Sequence, residues 1–170
     1  EHNLVTAKRF VTYPHISSYN FSRKAFSKGI WDQVSLTARG LFVDDERNIV
    51  ARAYNKFFNL EERPETQWRN LQQNLAFPIT LWVKENGFLG LLGYDMMNDK
   101  PFFASKSTPE SPFAQWFQEI LTESIGESQR EHLYRTVRDR NLSLVFEVND
   151  PVNDPHMIEY DTRHVVLLDA

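Results

Sequence analysis

The side chains of this sequence that could do chemistry are lysines, arginines and carboxylates. There is no cysteine, which excludes disulfides, thiolate zinc sites and cysteine nucleophiles. The five histidines form no HxxxH or HxH pair, so no metal motif of recognisable spacing is present. Attention falls on Lys84 in "LWVKENGFLGLLGYD", because a strand that alternates apolar side chains has no need of a lysine two residues before its turn. The position reads in two ways: a solvated charge on a strand edge, or an amine nucleophile of the kind that forms covalent intermediates. A nucleophilic amine must be neutral, and a free lysine has a pKa of about 10.4, so desolvation or nearby cations would have to lower it.

The elements that would position Lys84 follow from periodicity. Asn86-Gly87 is the dipeptide most favoured in two-residue turns, so the stretch predicts a β-hairpin, and Gly87 is needed by that turn whether or not Lys84 reacts. In its first strand Thr80, Trp82 and Lys84 share a face opposite Leu81 and Val83. Residues 34–43 and 49–58 read as strands joined by "DDERN"; in the second, Arg52, Tyr54, Lys56 and Phe58 point one way, placing two cations on one face. Residues 61–75 read as a short helix ending before Phe77-Pro78, and "PFFASK" (101–106) as a further strand.

Ser111 is the expected N-cap of a helix that carries Phe113, Trp116, Phe117, Ile120 and Leu121 at helical spacing. A second helix is expected over 128–140; its arginines read as a solvated face diluted by Glu127, Glu131 and Asp139. Strands are expected at 142–149, 157–160 and 164–168. In the first of these Ser143, Val145, Glu147 and Asn149 oppose Leu142, Leu144, Phe146 and Val148. Strands, a helix, strands, two helices and strands again predict an α+β fold with mainly antiparallel pairing. Periodicity by itself reads Lys84 and Glu147 as the watered side of such a sheet.

The chain has 170 residues, one domain by length, enough to bury about 68–70% of its unfolded surface. Its formal net charge of -4 argues against bulk attraction to a polyanion, so any nucleic-acid contact needs a local basic patch. No apolar run approaches the roughly 18 residues of a membrane span, and no leader pattern is visible; no membrane partner is expected, and the default address is cytoplasmic. The sequence begins at Glu1 without an initiator Met and stops after "HVVLLDA", which leads us to expect a piece of a longer protein.

The stretch "ARGLFVDDERNIVARAYNKFFNLEE", then "VKENG", "FASKS", "LVFEVNDPVNDPHMIEY" and "HVVLLDA" resembles the phage-type ATP-dependent RNA ligases and their tRNA-ligase relatives. The likeness runs from about Ala38 to Ala170; "KFFN" followed by "KENG" is its specific pairing, and the first 33 residues carry no motif. It implies the covalent nucleotidyltransferase (ligase adenylation) fold, with residues 1–170 as the N-terminal portion of an adenylyltransferase domain. The lysine of the Lys-x-(Asp/Asn)-Gly motif, Lys84, would attack the α-phosphate of ATP and hold AMP. AMP would pass to a 5′-phosphate RNA end, which a 3′-hydroxyl then seals. Broken RNA, including tRNA halves, is the implied partner.

By the same resemblance Arg39 and Lys56 would contact the nucleotide phosphates, Lys106 would lie near the nucleotide, and Glu147 would be the ribose-contacting or site-organising acid. Phe58 is similar to the second phenylalanine of "KFFN". Gly87 completes the nucleophile motif, and Mg²⁺ would offset the phosphate charge, with its ligands unassigned. Asn86 in place of the commoner Asp resembles the tRNA-ligase branch. The family's later metal-linked acid and lysine-rich strand are expected beyond "HVVLLDA", in the remainder of the ligase chain, so this portion alone is expected to be slow or inactive. Two alternatives stay open: an inactive nucleotide- or RNA-end-binding module of the same fold, and a related capping or DNA-ligase nucleotidyltransferase.

Overall fold

A computed structural model describes residues 3–156, 158 and 160–170. Two four-stranded antiparallel sheets face each other. The first contains β1 (Val5–Arg9), β2 (Ile16–Phe21), β3 (Leu41–Asp44) and β4 (Ile49–Arg52) in that order. The second runs β6 (Lys100–Ala104), β5 (Phe88–Asp95), β7 (Leu144–Asn149), β8 (His164–Asp169). Two short helices, α1 (Arg23–Lys28) and α2 (Gln33–Thr37), link β2 to β3, and a 3-10 turn with α3 (Trp68–Asn74) lies between β4 and β5. The long helices α4 (Pro112–Ser124) and α5 (Glu127–Arg140) lie between β6 and β7 in the chain. The α+β class expected from the sequence is the class observed. No helix among the described residues is long and apolar enough to cross a membrane.

Over β5, β6 and β7 the second sheet is covered on both faces, while β8 at its edge is half-buried to exposed, and this decides the environment of the candidate site. Leu92, Phe103, Phe146 and Val148 pack with Phe117, Ile120 and Val137 of α4 and α5 on one face. Leu91, Phe102 and Val145 pack with Phe42, Val50 and Ala51 of the first sheet on the other. Strands covered on both sides need apolar residues at successive positions, and the "LGLLG" of β5 and "LVF" of β7 supply them. Glu147 is therefore half-buried at the rim between the sheets, with Asn149 beside it only 1% exposed. The watered face that alternation alone suggested is covered by a second sheet.

Several expected elements change. The hairpin centred on Asn86-Gly87 does not form: residues 79–86 adopt no strand, and β5 begins at Phe88. The edges of β5 are taken elsewhere, by β6 from Leu91 onward and by β7 from Phe88 to Leu92, which leaves little for a hairpin partner. The long strand expected at 49–58 ends at Arg52, so Arg52 and Lys56 do not share a strand face. Of the strand expected at 34–43 only Leu41–Asp44 extends; Asp32 instead caps α2 by accepting the Ser35 amide at 2.7 Å. The helix expected at 61–75 divides into the 3-10 turn Pro64–Thr66 and α3. The strand expected at 157–160 lies partly outside the described residues, and neither Ile158 nor Tyr160 is in a strand. The helix N-cap at Ser111 is as expected, its hydroxyl accepting from the Ala114 amide.

Candidate active site

Lys84 sits on an exposed segment rather than in a strand. Lys84 is itself exposed, and Leu81, Trp82 and Val83 before it are each at least 85% exposed. Its Nζ donates to the Glu85 carbonyl at 2.9 Å and to Asn86 Oδ1 at 3.2 Å. The residues that follow are tightly held. Asn86 N–H donates to the Tyr160 hydroxyl at 2.9 Å, and that hydroxyl donates to Glu85 Oε2 at 2.9 Å. Gly87 N–H donates to Glu147 Oε1 at 2.9 Å. The Asn86 amide lowers the Tyr160 pKa, but desolvation and the Glu85 and Glu147 carboxylates outweigh it and hold the phenol above its usual value.

Gly87 is required here for a reason other than a turn. Among the described residues the glycines at positive φ are Gly29 and Gly40. A Cβ on Gly87 would run into the Val148 carbonyl and stand 2.6 Å from Asn149 Oδ1. The close approach to β7 is what brings the Gly87 amide to Glu147.

Cations gather around Arg39, whose charge interacts with that of Glu147. Arg39, just after α2, donates from Nη1 to the Tyr54 carbonyl at 3.2 Å and lies 5.3 Å from the centroid of the Phe57 ring. Burial lowers its pKa, and the Glu147 charge opposes that shift. Lys106, two residues past β6, rests its ammonium over Phe21 at 4.8 Å from the ring centroid. Although its side chain is exposed overall, desolvation of the ammonium lowers its pKa, with Arg39 and then Lys56 adding like-charge repulsion. Lys56 lies over the Phe58 ring at 4.0 Å, and its side chain is 11% exposed. Its ammonium also donates to the Phe57 carbonyl and stands 3.8 Å from Glu62.

Arg39, Lys56, Lys106, Glu147 and Gly87 are thus one constellation, linked by a hydrogen bond and mutual electrostatic interactions, whereas the Lys84 ammonium is turned into its own segment. Phe58 is placed beneath Lys56, with Arg63 also stacked on it at 4.7 Å. Two pockets share Tyr54: one of about 470 Å³ lies against Arg52, Asn55 and Ser143, and one of about 580 Å³ lies beside residues 81–85. The larger is lined by Leu81, Trp82, Glu85 and Leu168, and its size falls in the range of about 300–1,000 Å³ that takes a small organic ligand. Neither is lined by Arg39, Lys56, Lys106 or Glu147. No cluster of three or more His, Asp or Glu side chains that could hold a metal exists among the described residues.

Two contributors were not singled out from the sequence as site residues. Tyr160, between β7 and β8 in the chain, clamps the segment from 75 residues away. Trp31 contacts both Phe58 and Lys56 from the stretch of chain without a motif.

Residues 37–170 match the family model described as RNA ligase. Over 154 residues the chain is 30% identical to "tRNA ligase 1" of Schizosaccharomyces pombe, across 82% of this chain and 19% of that protein. Over 151 residues it is 29% identical to "tRNA ligase" of Candida albicans, across 75% of this chain and 18% of that one. The chain spans about a fifth of the length of these curated relatives.

Proposed function

The chain belongs to the RNA ligase family, in its phage-type and tRNA-ligase branch, and from that premise we propose that it is part of an ATP-dependent RNA ligase whose Lys84 amine carries AMP. Residues 1–170 are then a portion of an adenylyltransferase domain, and the facing antiparallel sheets are the covalent nucleotidyltransferase fold. The observation that carries the reading is the bond from Gly87 N–H to Glu147, because it ties the segment of Lys84 to an acid that also faces Arg39.

In this reading the neutral Lys84 Nζ attacks the α-phosphorus of ATP. An N–P bond forms, the bond to the bridging oxygen breaks, pyrophosphate leaves, and the amine proton goes to solvent. A terminal 5′-phosphate oxygen of RNA then bonds to the AMP phosphorus as the N–P bond breaks, the lysine nitrogen taking a proton from solvent to leave as the amine. A 3′-hydroxyl, giving its proton to solvent, then bonds to the RNA 5′-phosphorus and expels AMP to close the phosphodiester. Arg39, Lys56 and Lys106 would draw in the triphosphate and balance the charge that develops on pyrophosphate. Glu147 and Tyr160 would hold the backbone from Glu85 to Gly87, so that Lys84 swings from a fixed base. Mg²⁺ would arrive with ATP, held by phosphate oxygens as part of the substrate. The substrate RNA, since the relatives are tRNA ligases, would be broken tRNA.

The exposed position of Lys84 favours one alternative, a module that binds nucleotide or RNA ends without chemistry. Incubating the full-length protein with α-labelled ATP and Mg²⁺ separates the two. The ligase reading expects label on the wild type and none on Lys84→Ala or Lys84→Arg. Saturable ATP binding without any adduct supports the module, and equal labelling of Lys84→Ala removes Lys84 as nucleophile.

A further inference from the structure

Lys56 is held in part by residues that precede the stretch of chain matching the family, which begins at residue 37. Its backbone N–H donates to the Leu36 carbonyl of α2 at 2.8 Å. Its ammonium lies 5.6 Å from the Trp31 ring centroid, completing with Phe58 a two-ring seat. Trp31 meets Phe58 edge-on at 5.4 Å and Phe21, the last residue of β2, edge-on at 5.1 Å. Its backbone is fixed as well, since it directly precedes Asp32, whose amide donates to Ser35 Oγ at 2.9 Å while its carboxylate accepts the Ser35 amide.

We propose that Trp31 is a positioning residue, its ring holding the Lys56 ammonium at the place where it meets a phosphate oxygen of ATP. The inference rests on the ligase reading, in which Lys56 contacts the triphosphate. A ring quadrupole attracts an ammonium without cancelling its charge, which a carboxylate would do. Glu62 is the carboxylate neighbour of Lys56, and at 3.8 Å with 37% of its own side chain exposed it offsets that charge only partly. A lysine left free would lose side-chain freedom on meeting phosphate; one already seated between two rings has lost it beforehand. The segment without a motif thereby becomes part of the site, bringing Trp31 to Lys56 just as it brings Phe21 to Lys106.

The test compares Trp31→Phe, which keeps a ring, with Trp31→Leu, which keeps apolar volume without one. The readouts in the full-length protein are lysyl-adduct formation against ATP concentration and the melting temperature. Trp31→Leu is expected to raise KM for ATP about tenfold, the scale of a partly desolvated cation–ring contact, with the rate at saturation nearly retained. Trp31→Phe is expected to restore most of the loss, and in a Lys56→Ala background Trp31→Leu should add little. Equal KM values for Trp31→Leu and wild type overturn the inference alone, as does a loss confined to active yield with lowered melting temperature. So does a full tenfold effect that persists in Lys56→Ala. Absence of any adduct on the wild type overturns the ligase reading and this inference with it.

Discussion

The backbone amide of Gly87 donates to the Glu147 carboxylate at 2.9 Å, joining positions 60 residues apart in the chain. A hydrogen bond to an ionised acceptor contributes about 1.5–3 kcal/mol, roughly twice a neutral one. Glu147 also faces Arg39, so one carboxylate fixes the segment of Lys84 and balances the cation cluster. Glu147→Gln keeps an acceptor and loses the charge; Glu147→Ala loses both. Hydrogen exchange of the Gly87 amide should quicken in the order wild type, Glu147→Gln, Glu147→Ala, and adduct formation on Lys84 should fall in the same order, by about tenfold or more for Ala. Unchanged exchange at Gly87 in Glu147→Ala would sink this account of the acid.

That relationship was half legible in the sequence. The family resemblance singles out Lys84, Gly87 and Glu147 as residues, and helix α4 follows from the Ser111 cap and the 3.6-residue spacing of Phe113 to Leu121. What periodicity could not supply is which edges are already paired. Asn86-Gly87 has the composition of a turn, yet β6 and β7 flank β5, so the residues before Asn86 leave the sheet. Likewise "ARAYNKFF" alternates like a strand, but Ala53 N–H goes to the Gly40 carbonyl and Lys56 N–H to Leu36. Those non-local bonds redirect the chain after Arg52 and carry Lys56 toward Trp31.

The role of Gly87 separates a turn from a close approach. Gly29 is the C-cap of α1 at φ 62° with open space around it, so Gly29→Ala meets only left-handed strain. Gly87→Ala meets the Val148 carbonyl of β7, an obstruction that backbone must move to relieve. Both substitutions are expected to cost stability on the order of 1–3 kcal/mol, a fall in melting temperature of roughly 2–12 °C for a chain of this size. Only Gly87→Ala should also alter the Glu147 and Tyr160 contacts, seen as chemical-shift changes at Asn86 and in the β7 amides. Shifts confined to residue 87 itself would return Gly87 to a turn role.

Lys106 links stability to binding through its charge. Desolvation and the neighbouring Arg39 and Lys56 lower its pKa below the usual lysine value of 10.5. Below the lowered value both folded and unfolded chains carry the proton, and the folded state bears the full cost of charging Lys106. Between the lowered value and 10.5 the folded chain has released the proton and the unfolded chain has not, so this cost fades as pH rises. Lys106→Gln removes the cost at every pH. The variant should therefore be the more stable protein at neutral pH, with its advantage shrinking toward pH 10.5. Denaturant unfolding of both proteins across that span measures the difference. The same substitution should weaken ATP binding, because a cation held among cations is stabilised when phosphate arrives. A variant that loses stability at neutral pH, or that binds ATP as tightly as wild type, contradicts the placement of Lys106 in this cluster.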